Sequence, residues 1–251
     1  MNAHNNRKTT FIDLGLIDYQ QAWAYQTDLF NETLVVKAEN RNLPVRDQKP
    51  TDNFLIFCEH PHVFTLGRSG DERNLLIKND ELNAINASYY HVNRGGDITY
   101  HGPGQIVVYP VIDLENFFTD IHRYMRTLEG AVIETLNEFK IKAGRIQGLT
   151  GVWCNVEHHA LAKKICALGV KTSRWVTLHG LAFNVNTDLD YFNYIVPCGI
   201  GDKAVTSLEQ ETGAEQDMVV VKGILKQKIA SQFEMLLVNH SVANTLDRKR
   251  L

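Results

Sequence analysis

Six short runs rich in β-branched and aromatic residues, at 54–58, 89–92, 106–111, 152–154, 165–170 and 176–185, are distributed unevenly among three stretches of helical period. Ala22, Tyr25, Leu29, Phe30 and Leu34 recur at steps of three and four. So do Ile121, Met125, Leu128, Val132, Leu136 and Phe139, and then Met218, Val221, Leu225, Phe233 and Leu236. Asp120 and Asp217 stand where helix N-caps belong. Several strands follow the first helix before the second begins, which excludes the regular βαβ alternation of a doubly wound fold and predicts a sheet with helices packed on it. The polar segment 39–52 contains two prolines and reads as a long loop. No repeat or low-complexity linker divides the chain, so 1–251 is expected to form a single domain, with an ordered core over about 9–240 and frayed ends.

Hydrophobic residues make up 44% of the 251 and charged residues 22%, a balance that supports a buried core. Lys plus Arg (26) against Asp plus Glu (29) gives a net charge of −3, so no global basic field recruits nucleic acid or an anionic membrane. No apolar stretch approaches the ~20 residues of a membrane span. Residues 1–10 are polar and lack the apolar core of a secretory signal, so a cytoplasmic location is expected. Four cysteines at irregular spacing form no disulfide framework and are expected as thiols.

Chemistry concentrates in two glycine-rich segments. Residues 94–105 hold Arg94, Gly95, Gly96, Asp97, Ile98, Thr99, Tyr100, His101, Gly102 and Gly104 just before a strand. Glycines so dense let the backbone pass close to a ligand. The spacing matches neither the dinucleotide fingerprint nor a P-loop, so no nucleotide site is indicated. In 194–201, Cys198 lies between Pro197 and Gly199, outside any periodic run, which suits an exposed thiol at a turn. Cys58 and Cys166 sit in apolar runs and read as core. The groups Cys58, His60, His62 and Cys154, His158, His159 lack the spacing of zinc ligands, so no metal is expected. Lys164 opens a strand-like run, where a lysine can be desolvated near a site.

These motifs taken together, from Arg94-Gly95-Gly96 and Thr99-Tyr100-His101-Gly102-Pro103-Gly104-Gln105 through Gly151-Val152-Trp153, Lys164-Ile165, Leu168-Gly169, Thr177-Leu178-His179-Gly180 and Asn184 to Val196-Pro197-Cys198-Gly199-Ile200, resemble the octanoyltransferase (lipoyl/octanoyl transferase) family. The matches run in order from about residue 53 to 208. The resemblance implies an α+β domain with a central mixed sheet, flanking helices and a small accessory sheet, similar to lipoate and biotin ligases. It implies transfer of an octanoyl group from octanoyl-acyl carrier protein to a lysine of lipoyl domains, in 2-oxoacid dehydrogenase E2 subunits and the glycine cleavage H protein, without ATP or metal. By the same resemblance Cys198 corresponds to the acyl-thioester nucleophile and Lys164 to the lysine that lowers its pKa. The segment 94–101, Ala167, Leu168 and Gly169, and Gly180, Leu181 and Ala182 look like substrate-binding loops, with Arg68 and His62 near the site. Cys166, two residues from Lys164, is expected on the same strand face.

The thiolate is the attacking species, and a free thiol is only a few per cent ionised at neutral pH, so a nearby ammonium would help it. Two rivals share the scaffold. An ATP-dependent lipoate ligase needs no cysteine nucleophile, and a non-catalytic acyl-binding relay needs neither Cys198 nor Lys164.

Overall fold

Each long helix starts where a side-chain carboxylate can take up its free N–H groups. Asp18 accepts from Gln20 and Gln21 at the head of α1 (Tyr19–Asn40), Asp120 from Arg123 at α2 (Ile121–Glu138), and Asp217 from Val219 and Val220 at α4 (Met218–Phe233). Glu234, in the left-handed conformation, ends α4, and Leu236 therefore falls in a following strand instead of continuing the helical period. The computed structural model describes residues 6–78, 81–196 and 204–239.

Among the described residues a nine-stranded mixed sheet forms the centre. Its strands are β1 (Lys8–Leu16), β2 (Phe54–Glu59), β6 (Gln105–Val111), β7 (Ala143–Gly144), β8 (Val152–Cys154), β9 (Lys163–Ser173), β10 (Val176–Asn184), β11 (Ala204–Val205) and β12 (Leu236–Asn239). The order is β12-β1-β2-β6-β10-β9-β8-β7, with β11 parallel to the start of β9. A second sheet of three strands, β4-β3-β5, comprises β3 (Val63–Leu66), β4 (Ser88–His91) and β5 (Ile98–His101). A short helix α3 (Leu208–Thr212) precedes α4. This is the α+β architecture expected, with its accessory sheet.

Alternation along the strands sends residues to two cores. Leu55, Phe57, Ile106, Val108, Leu181 and Phe183 pack with α2 and α4, whereas Ile56, Cys58, Val107, Tyr109 and Ala182 pack with Ala22, Leu29 and Phe30 of α1. Asn6, Arg7 and Lys8, expected to fray, are held instead: Asn53 donates to the carbonyls of Asn6 and Lys8, and Leu236 donates to that of Arg7. No helix among the described residues is long and apolar enough to cross a membrane.

Pro110 stands one residue before the end of β6, where its missing N–H interrupts the ladder. Thr177 of β10 bridges the gap. Its hydroxyl donates to the Pro110 carbonyl at 2.7 Å and accepts from the Ile112 N–H at 3.1 Å. Gly180 lets the two strands close up beside the proline ring, since a Cβ there would lie 2.1 Å from the Val108 carbonyl oxygen. Thr177→Val keeps the shape and strands a buried N–H, at a cost of about 1–3 kcal/mol. Urea denaturation is expected to show a lower midpoint with an unchanged slope.

Candidate active site

Arg94 joins the two sheets. Its guanidinium donates to the carbonyl (2.6 Å) and hydroxyl (2.9 Å) of Thr65 on β3, while the next residue's N–H, Gly95, donates to Val170 on the free edge of β9 at 2.9 Å. The arginine fits because two glycines make room for it. A Cβ at Gly67 would come within 2.9 Å of its Nη1, and one at Gly169 within 3.1 Å of its Cδ. Between this junction, β9, β10 and the first turns of α2 opens a cavity of about 600 Å³, a size usual for small-molecule sites. Arg94, Gly95, Gly96, Asp97, Ile98, Thr99 and His101 form one wall, and Ala167, Leu168, Gly169, Gly180, Leu181 and Ala182 another. These last two groups belong to strands β9 and β10, in line with the strand-like runs at 165–170 and 176–185, whereas Ile98–His101, not read as a strand, forms β5.

Lys164 lies on the cavity wall, with its Nζ 4.7 Å from the centre of the Trp153 ring. Thr99, Lys164, Ala167 and Ala182 also line an adjoining recess of about 20 Å³. The register between β8 and β9 shifts here: Val152 pairs with Cys166, but Trp153 pairs with Lys164. That extra residue turns Lys164 to the face of Trp153, away from Cys166, which follows Val152 into the α2 core. The expectation that Lys164 and Cys166 share a face is thereby corrected. Cys166 is fully buried, and burial, reinforced by the charge of Glu129, pushes its thiol pKa up.

A relay of buried amides fixes the strand beside Lys164. His101 Nδ1 bonds to Gln105 Oε1 (2.8 Å), Gln105 donates to Asn184 (2.9 Å), and Asn184 donates to the Thr206 carbonyl (3.0 Å). The Thr206 N–H in turn donates to the Lys164 carbonyl at 3.0 Å. Cys198 lies outside the described residues. The chain before it is anchored at Val196, whose N–H donates to Asn74, and the chain after it resumes at Ala204, paired with Lys163.

Tyr19, Tyr109, His101 and His179 also line the cavity. His179 has φ +61°, and its backbone N–H donates to the buried Gln26 side chain at 2.9 Å. Neither ring nitrogen of His179 has a hydrogen-bond partner. Burial, helped by the charges of Arg94 and Lys171, lowers its pKa to about 3. His101 is likewise lowered to about 3, by burial and then by His60, and His60 to about 4 by burial. All three are neutral imidazoles in the folded protein.

Two expected residues stand elsewhere. Arg68 is exposed and is not part of the cavity wall, although its neighbour Ser69 is. Tyr100 is buried in the small sheet's own core, where its hydroxyl bonds His62 at 2.7 Å, and His62 stacks on Tyr191. Gly102 makes room for the Tyr100 hydroxyl, 1.9 Å from where its Cβ would be, and does not face a ligand. Conversely, Tyr19, Tyr109, Ile121, His122, Met125, Arg126 and 148–150 line the cavity without any local motif to announce them. Among the described residues no three His, Cys, Asp or Glu side chains gather as a metal site.

The buried histidines carry a pH signature. Unfolding restores an ordinary pKa near 6.5, so the unfolded chain takes up protons that the native chain refuses until about pH 3 to 4. Stability is therefore full above about pH 6.5 and falls as the pH drops through that window. Asn tolerates positive φ, so His179→Asn keeps the backbone and removes one such proton. The pH dependence of unfolding free energy between pH 7 and pH 5 is expected to flatten, by on the order of 1.4 kcal/mol per pH unit at most. An unchanged slope would mean that His179 is protonated in the fold.

Comparison with known proteins agrees with this architecture. The family model described as the lipoyl protein ligase A/B catalytic domain matches residues 18–230. An octanoyltransferase of Cytophaga hutchinsonii is 57% identical over 239 residues, covering 95% of this chain and 98% of its own. One from Flavobacterium johnsoniae is 52% identical over 234 residues, covering 93% and 100%. In fold, the chain is similar to lipoate-protein ligase A bound with ATP, at a TM-score of 0.71 and 16% identity over 97% of this chain and 92% of that one. With more than half of its sequence shared with octanoyltransferases over nearly full length, and the ligase fold beneath it, this chain belongs to the octanoyltransferase family.

Proposed function

We propose that the protein transfers an octanoyl group from octanoyl-acyl carrier protein, through a thioester on Cys198, to the target lysine of lipoyl domains, as a single catalytic domain without ATP or metal. The acceptors are the lipoyl domains of 2-oxoacid dehydrogenase E2 subunits and the glycine cleavage H protein, and the reaction is cytoplasmic. The observation that carries the reading is the position of Lys164. Its ammonium stands on the wall of an acyl-sized cavity, next to β11, whose Val205 pairs with Lys164 seven residues after Cys198. The described thiols are unsuited to attack. Burial raises the pKa of Cys58 and Cys166, and it pushes Cys154 up to about 12.

In the first half-reaction the Cys198 thiolate, stabilised by the Lys164 ammonium, attacks the octanoyl carbonyl. The C–S bond to pantetheine breaks, and the departing sulfur takes a proton from Lys164. In the second, the acceptor amine attacks the enzyme thioester, neutral Lys164 takes its proton, and the Cys198 thiolate leaves as the amide forms. Thioester to thioester to amide runs downhill, so no adenylate is needed. The apolar walls of Ile98, Leu168, Leu181 and Ala182, with the bare backbone of Gly95 and Gly96, suit the chain. Burying about six methylenes contributes roughly 5 kcal/mol of acyl affinity.

Intact mass after incubation with octanoyl-acyl carrier protein and no ATP is expected to show an octanoyl adduct that is lost in Cys198→Ser and retained in Cys166→Ser. Lys164→Arg keeps a charge but supplies no base, so its thioester should accumulate when an apo lipoyl domain is added. An adduct on Cys166, or a requirement for ATP, would overturn the mechanism. An adduct that no lipoyl domain discharges would point to an acyl relay.

A further inference from the structure

Glu129 lies on the inner face of α2 with its side chain wholly buried, outside the lining of the cavity. Three donors converge on it. Arg126 and Arg145 reach Oε2 at 2.9 and 3.0 Å, and the Gly151 N–H reaches Oε1 at 2.9 Å. Salt bridges alone would be an ordinary way to neutralise a buried carboxylate. Gly151 gives the arrangement its meaning. With φ +124° it stands against the amine-bearing side chain of Lys164, since a Cβ built on it would lie 3.4 Å from Lys164 Cε and 3.6 Å from Cδ, and 2.7 Å from the Cys166 carbonyl oxygen. Residues 148–150, just before it, line the cavity. Arg145, at the start of the same segment, also donates to the Arg126 carbonyl at 2.7 Å. Glu129 therefore ties both ends of 145–151 to α2, and the far end is the surface on which the Lys164 stem rests below the Trp153 ring.

We infer that Glu129 is a positioning residue for Lys164, acting through the Gly151 N–H. The inference rests on the role proposed above for Lys164. It takes its force from geometry: a proton-transfer group must be held to within a fraction of an ångström of its partners, and a misplacement of about 1 Å can cost roughly a hundredfold in rate. The Arg126 and Arg145 side chains are 45% and 38% exposed and can turn to water if the carboxylate is neutralised, whereas the Gly151 N–H has Glu129 as its acceptor.

That asymmetry separates positioning from general structural support. Glu129→Met retains the volume and removes both oxygens; Glu129→Gln loses the charge and keeps an oxygen for Gly151. Single-turnover decay of a preformed Cys198 octanoyl thioester, on addition of an apo lipoyl domain, is expected to slow roughly tenfold to a hundredfold in Glu129→Met and to recover most of its rate in Glu129→Gln. In a Lys164→Arg background Glu129→Met should add little further loss, because both act on the same group. Glu129→Ala serves the same arm should the methionine variant not fold. A glutamine variant as slow as the methionine one, a wild-type rate in both, or losses that multiply in the Lys164→Arg background would overturn the inference. A wild-type rate in Lys164→Arg by itself would instead overturn the role of Lys164.

Discussion

The hydrogen bonds from Arg94 to Thr65 are what turn two sheets into one site. The guanidinium is buried, so it must find acceptors inside the protein, and it finds them in Thr65 on β3 and in the Gly95 carbonyl. Once it points there, its own backbone is drawn along the edge of β9, where the Gly95 N–H meets Val170. The space between the sheets is then enclosed on a third side. The glycines at 67 and 169 are consequences of this one buried charge, since any side chain at either position would collide with it or with the backbone that carries it. A charge placed so also acts at a distance. It helps to hold His101 and His179 neutral, and these rings can then stand among apolar neighbours without demanding counter-ions.

The cavity lining consequently mixes polar and apolar groups. Lys164 lies on the wall, where Trp153 faces the ammonium with its ring and the strand β11 pairs alongside. The neutral imidazoles of His101 and His179 and the phenols of Tyr19 and Tyr109 share the lining with charged groups such as Arg94 and Asp97, and with the aliphatic side chains of Ile98, Leu168, Leu181 and Ala182. The cation–π contact adds a specific constraint, because it holds the amine over the Trp153 ring.

Much of this was legible in the sequence where the local signal and the tertiary outcome coincide. The long helices announce themselves by period and by Asp120 and Asp217, and the glycine-rich 94–105 segment by composition. β1, β3 and β5 are harder to see, because each gains its place from partners distant in sequence: β1 lies between β2 and β12, and the small sheet forms around Phe64, Leu66, Ile98 and Tyr100. Tyr100 sits inside the 94–101 segment, whose other residues line the cavity, and Arg68 precedes Ser69, which lines it, but position in sequence does not fix direction. Strand alternation and one exposed turn send them elsewhere. Glu129 could not be singled out at all, since a glutamate within a helical period reads as a solvated surface residue until the structure shows what converges on it.

The relation of Lys164 to Cys166 shows how a single inserted residue changes chemistry. With strict alternation the two side chains would share a face, and a thiol two residues from an ammonium would be a reasonable nucleophile. The register shift opposite Val152 and Trp153 divides them, giving the amine to the cavity and the thiol to the α2 core. Burial then raises the thiol's pKa, and the charge of Glu129 raises it further. The same carboxylate thus disfavours ionisation of the neighbouring cysteine while it fixes, through Gly151, the backbone against which Lys164 lies. One buried charge on α2 in this way acts both on the Cys166 thiol and on the segment beside the Lys164 amine.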